Sequence, residues 1–97
     1  MFAVRVLITV NVSGHLKDYT GGTQNFQMSV VPNLRSLIEE LNAKFPGIKD
    51  RIFDDQERVR PYVNIFVNGE NSREGHKEET RLNEGDTIHI LPSVAGG

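Results

Sequence analysis

The chain has 97 residues, 37% of them hydrophobic and 25% charged, a composition typical of one folded domain and not of a disordered chain. Its formal charge is −2 and no basic stretch carries interleaved aromatic residues, so nucleic acid is not expected as a partner. It contains no cysteine, which excludes disulfides, thiolate metal sites and a cysteine nucleophile.

No run approaches the roughly 20 apolar residues of a membrane span. The apolar start of the chain is interrupted by Arg5 and lacks the small-residue cleavage site of a signal sequence. We therefore expect a cytoplasmic protein with no membrane partner.

Two strands are predicted in the first third of the chain, because β-branched and apolar residues alternate there with polar ones. A second strand, around 26–30, is expected to pair antiparallel with the first through a long loop, which Leu16 and Tyr19 hold to the core. Gly21-Gly22 supplies a turn within that loop. The residues expected on the buried face of the first strand are Val4, Val6, Ile8, Val10 and Val12.

One amphipathic helix follows. Asn33 is its predicted N-cap, and Pro46-Gly47 is expected to end it, because proline disfavours helical geometry in the residue before it. Ile48, Ile52 and Phe53 are interpreted as a satellite apolar cluster beneath a loop. The apolar residues at helical spacing are Leu34, Leu37, Ile38, Leu41 and Phe45.

Two further strands are predicted, from about Tyr62 to Val67 and from Thr87 to Leu91. Asn68-Gly69 is a strong hairpin signal after the first of them, and residues 83–86 form another turn. The sequence indicates no path for residues 70–79. Taken together, the elements predict an α+β fold in which one helix packs across a small mixed sheet.

The C-terminal segment differs in composition from the rest of the chain. Its six residues could extend about 20 Å, and two terminal glycines leave no side chain around the carboxylate. A frayed end and a cloning remnant are the ordinary explanations for such a segment. A tail that enters a partner's active site is the alternative. The segment consists of Pro92, Ser93, Val94, Ala95, Gly96 and Gly97.

The pattern as a whole resembles the MoaD/ThiS family of ubiquitin-like β-grasp sulfur carriers, and within it the CysO-type branch. The resemblance depends on the order of elements, the helix end at Pro46-Gly47, the Asn68-Gly69 turn, and the final strand with its tail. It implies a β-grasp domain over residues 1–91 and a flexible tail over 92–97. It also implies that the Gly97 carboxylate is the adenylation and thiocarboxylate site.

The resemblance further implies that the chain is not an enzyme but a carrier on which partner enzymes act. An adenylating, ubiquitin-activating-like enzyme would use ATP, and no cofactor would be bound by the chain itself. A sulfurtransferase or a sulfide source would supply sulfur. A cysteine-synthase-like pyridoxal-phosphate enzyme would accept it, and a metalloprotease would release the cysteine.

Three alternatives stay open. The chain could be a ubiquitin-like protein modifier, a molybdopterin-synthase small subunit, or a β-grasp interaction module with an inert tail. Ser93 disfavours the second, since molybdopterin-synthase small subunits usually have a second proline there. The sequence does not separate carrier from modifier, and it does not indicate whether a longer precursor is trimmed to Gly97.

Other candidate sites are few. The three histidines, His15, His76 and His89, lack the spacing of zinc ligands, so no metal site is expected. Alternation in the third strand turns Phe66 outward, beside Tyr62. We interpret these two residues as either ordinary surface or a docking surface for a partner.

Overall fold

The computed structural model describes residues 7–92. These residues form two α-helices and one mixed sheet of five strands. The strands and α-helices are β1 (Leu7–Val12), β2 (Asn25–Ser29), α1 (Leu34–Lys44), α2 (Ile48–Ile52), β3 (Val63–Val67), β4 (Glu70–Asn71) and β5 (Thr87–Pro92). Within the sheet the strands follow the order β2-β1-β5-β3-β4. The central pair, β1 and β5, is parallel, and every other neighbouring pair is antiparallel. The α+β prediction is confirmed.

Alternating apolar residues of the central strands build the inner face of the sheet. In β1, Ile8, Val10 and Val12 are buried as predicted, whereas Val4 and Val6 lie outside the described residues. The isoleucines of β5 are their parallel partners, since Val10 pairs with Ile88 and Val12 with Ile90. Helix α1 contributes the facing layer of the same hydrophobic core.

Helix α1 begins and ends where the sequence predicts. The side-chain oxygen of Asn33 accepts a hydrogen bond from the Ser36 amide at 2.9 Å, which satisfies one free donor of the first turn. After Lys44 the chain leaves helical geometry, and Gly47 has a φ of +98°. The fully buried residues of α1 are Leu34, Leu37, Ile38 and Leu41.

The prediction of a separate cluster at Ile48, Ile52 and Phe53 is wrong. All three side chains are at most 1% exposed and belong to the main core. The two isoleucines lie four residues apart on one face of α2, a single turn that packs against α1. A helix this short has no periodicity long enough to identify it in the sequence.

The segment without a predicted path consists of β4 and two 3₁₀ turns, Ser72–Glu74 and Lys77–Glu79. The Arg73 guanidinium links this segment to the rest of the fold by donating to the carbonyl groups of Arg60 and Val63. Leu82, which follows this segment, is buried in the main core.

Two turns at one end of the sheet, at Asn68-Gly69 and at residues 83–86, are joined by a hydrogen bond. Asn68 and Gly69 both have positive φ, as the hairpin prediction requires. The carboxylate of Asp86 accepts hydrogen bonds from the Asn68 side-chain amide at 2.9 Å and from the Asn83 backbone amide at 2.7 Å. This contact fixes the start of β5 beside the end of β3.

Within residues 7–92, no helix has the length and apolar character needed to cross a membrane.

Candidate functional site

The C-terminal tail is attached to the centre of the sheet. Strand β5 has β1 on one side and β3 on the other, and its inward residues Ile88 and Ile90 are completely buried. Pro92 is the last residue that the structure describes. The predicted tail therefore follows directly from a strand in the middle of the sheet.

Strand β5 ends one residue later than predicted, because Pro92 still pairs with Val63 of β3. On its other side the ladder with β1 stops at the pair Val12–Ile90. Proline has no amide hydrogen and is excluded from the middle of a ladder, but at the end of a strand the missing donor costs little. The other predicted tail residues lie outside the described residues and stay predictions: Ser93, Val94, Ala95, Gly96 and Gly97.

The corner after β1 lies beside the end of β5. The Ser13 amide donates to the Ile90 carbonyl at 3.1 Å, and the Ser13 hydroxyl lies 3.1 Å from Nε2 of His89. Gly14 then turns the chain with a φ of +62° and lies against Pro92. No local sequence pattern indicates these contacts, because they join residues that are far apart in the chain, 76 positions for Ser13 and His89.

The three histidines occupy different places. His15 and His76 are exposed, whereas His89 is half-buried on the outer face of the sheet, opposite Asn11 and Phe66. Among the described residues, no three His, Cys, Asp or Glu side chains come together in a way that could hold a metal ion.

Phe66 lies on the outer face of β3, as alternation predicts, and is half-buried. With His89 and Leu91 of β5, and with Asn68 and Gly69 of the turn after β3, it lines an open cavity of about 470 Å³. The surface formed by Phe66, His89 and Leu91 is called the outer patch below. Its aromatic and aliphatic groups, next to a polar imidazole, are of the kind found in protein interfaces.

Tyr62 does not lie beside Phe66. It precedes β3, is 40% exposed, and lines a separate cavity of about 500 Å³ together with Tyr19, Arg51 and Pro92. Here Nε of Arg51 donates to the Tyr19 hydroxyl at 2.5 Å, and this hydrogen bond raises the pKa of the guanidinium. The two predicted docking residues therefore mark two different surfaces, of which the Tyr62 cavity adjoins the base of the tail.

A protein-family model described as the ThiS family matches residues 10–97, which include the described fold from β1 onward and the predicted tail. The chain belongs to the ThiS family.

Two individual relatives show which kinds of protein this ThiS-family chain is similar to. The sulfur carrier protein CysO of Mycobacterium tuberculosis is 35% identical over 92 residues, which cover 93% of this chain and 98% of the relative. Small archaeal modifier protein 3 of Haloferax volcanii is 34% identical over 61 residues, covering 63% of this chain and 65% of the relative.

A solved structure supports the same placement. A chain in the crystal structure of the Amycolatopsis orientalis BexX/CysO complex matches with a TM-score of 0.84 and 31% identity, covering 93% of this chain and 99% of that one. The predictions of the family and of the β-grasp fold are confirmed.

Proposed function

We propose that this chain is a sulfur carrier whose Gly97 carboxylate is activated and converted to a thiocarboxylate, which then donates sulfur in biosynthesis. One observation carries the proposal. The similarity to sulfur carrier protein CysO extends over 98% of that protein, and the family match includes Gly96 and Gly97.

The chemistry requires a partner at the first step. A carboxylate is a poor electrophile, so a Gly97 carboxylate oxygen must first attack the α-phosphorus of ATP, which releases pyrophosphate and leaves a mixed anhydride. Sulfide then attacks the carbonyl carbon and displaces AMP, which leaves the thiocarboxylate. A persulfide would instead give an acyl disulfide, and a thiol must then attack the donor's sulfur, which forms a disulfide with it and releases the thiocarboxylate. The chain supplies the group that reacts, and the partner enzyme supplies the catalytic side chains and binds ATP.

The position of β5 suits this role. The five residues beyond Pro92 span at most about 17 Å when extended, which is enough to enter an active site while the domain stays outside. The buried isoleucines of β5 and the pairing of Pro92 with Val63 keep the base of that segment in place. A fixed base reduces the freedom that must be lost when the tail is bound.

Two surfaces are proposed to dock partners. The outer patch presents the Phe66 ring, and aromatic residues often dominate interface energy. The Tyr62 cavity presents two phenol rings and the Arg51 guanidinium at the base of the tail. A partner that holds the tail would necessarily pass close to the second surface, because Pro92 forms part of its lining.

The acceptor of the sulfur is proposed to be cysteine or a related thio-metabolite, by analogy with CysO, to which this chain is similar. The partners would be an adenylating enzyme, a sulfurtransferase or sulfide source, a cysteine-synthase-like pyridoxal-phosphate enzyme and a metalloprotease. The relative from Amycolatopsis orientalis was crystallised in a complex with BexX, which supports a role that involves a protein partner.

ATP–pyrophosphate exchange with an adenylating enzyme from the same genome tests the proposal. The wild-type chain should support exchange. A variant without Gly97, or with one alanine added after it, should support none and should melt at the wild-type temperature, because the reacting carboxylate has moved while the core is untouched. Unimpaired exchange by either variant would contradict the carrier function. Exchange followed by transfer of the chain to lysine amines would instead identify a protein modifier.

A further inference from the structure

Gly14, at the corner after β1, leaves no space for a side chain because Pro92 is directly beside it. A Cβ at Gly14 would lie 3.0 Å from Cγ of Pro92, 3.7 Å from its Cδ and 4.0 Å from its carbonyl oxygen. Carbon atoms in ordinary contact are about 3.5–4.0 Å apart. The proline ring is closed onto the backbone nitrogen, so its Cγ can move only by a change of ring pucker or by displacement of Pro92 itself.

The same corner holds β5 by two further contacts, from the Ser13 amide to the Ile90 carbonyl and from the Ser13 hydroxyl to His89. On the opposite side, Pro92 pairs with Val63. The end of β5 is thus enclosed between the corner after β1 and the start of β3.

Other glycines of the same loop provide a comparison. Gly21 and Gly22 also have positive φ, +67° and +88°, but a Cβ at either position would have no atom within 4 Å. An alanine at Gly21 would therefore introduce the backbone strain expected at Gly14 without the contact with Pro92. Positive φ explains glycine at both positions, whereas the close approach to Pro92 is specific to Gly14.

From this geometry we infer that Gly14 is a positioning residue for the C-terminal tail: by contact with Pro92 it fixes the point and direction from which the tail leaves the domain. The inference rests on the proposed function, because direction matters only if a partner must receive the tail. A partner that receives the tail must also accommodate its base, and misplacement of a reacting group by about 1 Å can slow a reaction about 100-fold, so displacement of Pro92 should slow adenylation.

The experiment compares Gly14→Ala with Gly21→Ala as the matched control. Single-turnover formation of the acyl-adenylate is measured at saturating adenylating enzyme, and the concentration dependence gives the apparent affinity. Gly14→Ala should be about 10-fold slower at saturation, and any loss of apparent affinity should be smaller than this loss of rate, although Pro92 also lines the Tyr62 cavity. Gly21→Ala should match wild type in both quantities.

The same substitution in a Pro92→Ala background distinguishes an effect on the position of the tail from an effect on folding. Pro92→Ala removes the ring atoms that a Cβ at Gly14 would meet, so adding Gly14→Ala to Pro92→Ala should cost less than 2-fold. An equal loss in both backgrounds would mean that Gly14→Ala acts through general folding and would overturn the inference. A nuclear Overhauser contact between the Gly14 Hα and Pro92 Hγ protons tests the geometry with no enzyme present.

The outcomes distinguish the two proposals. If the wild-type chain is adenylated and Gly14→Ala reacts as fast as Gly21→Ala, the positioning inference fails while the carrier function stands. If the wild-type chain is never adenylated, the carrier function fails even where the Overhauser contact is observed, and the positioning inference fails with it.

Discussion

The two faces of the sheet are built from alternate residues of the same strands, yet they differ in how much surface they keep. The inward residues Ile8, Val10, Ile65, Ile88 and Ile90 are at most 1% exposed and join α1 in the core. Their outward neighbours, which include Thr9, Asn11, Phe66 and His89, stay partly exposed, and Thr87 is exposed. The inner face supplies stability, and the outer face keeps the exposed surface that we propose for partners.

Truncation of side chains on the inner face should have the largest effect on the free energy of unfolding. Ile8→Ala and Leu37→Ala each remove a buried aliphatic side chain and should lower the free energy of unfolding by about 2–5 kcal/mol. Thr9→Ala, one position along β1 on the other face, is the control and should change it by less than about 1 kcal/mol. Urea denaturation measures all three. Midpoints near wild type for both core variants would contradict the assigned inner face.

The contact between the two turns at the end of β3 and β5 should have an intermediate effect. Asp86→Ala leaves the Asn68 side-chain amide and the Asn83 backbone amide without their acceptor, and should cost about 1–3 kcal/mol in the free energy of unfolding. Glu84→Ala, in the same turn and exposed, is the control. Equal denaturation midpoints for the two variants would show that the turns are not coupled through Asp86.

The outer patch should show the opposite behaviour from the core. Phe66→Ala should weaken binding to the adenylating enzyme by about 1–3 kcal/mol, or roughly 5- to 150-fold, with a much smaller loss of stability than a core variant. Gln27→Ala, on the outward face of β2, serves as the control. Titration calorimetry and a thermal melt measure both quantities. Unchanged affinity would make Phe66 an ordinary surface residue and remove the outer patch from the account.

The cap of α1 should give the smallest effect. Asn33→Ala removes the acceptor of the Ser36 amide and should cost about 1 kcal/mol in the free energy of unfolding. Asn33→Ser keeps a capping oxygen and should recover most of that loss. A serine variant no more stable than the alanine variant, by urea denaturation, would mean that the side-chain cap contributes little.

Local patterns were sufficient for most of the fold. Alternation predicted the buried face of β1, helical spacing predicted the buried face of α1, and turn chemistry predicted Asn68-Gly69. Each of these signals is contained within about ten residues. These local signals predict the structure correctly because burial of one face and the φ requirements of turns act on neighbouring positions.

The features that the sequence did not predict depend on distant partners. Helix α2 is a single turn that packs against α1, and Arg73, in the segment after β4, donates to carbonyl groups of Arg60 and of Val63 at the start of β3. The contact of Gly14 with Pro92 depends on the parallel pairing of the first and last strands. Alternation places Tyr62 beside Phe66 only if the strand begins at Tyr62, whereas β3 begins at Val63.

The central claim is that Gly97 accepts sulfur, and intact mass measures this most directly. The wild-type chain is incubated with the adenylating enzyme, ATP and sulfide, beside a variant with one alanine added after Gly97. The account predicts that the wild-type chain gains the mass difference between one sulfur and one oxygen atom, located in its C-terminal peptide, and that the extended variant gains nothing. An adenylated wild-type chain that never gains sulfur, or appears only in larger conjugates, would contradict the account.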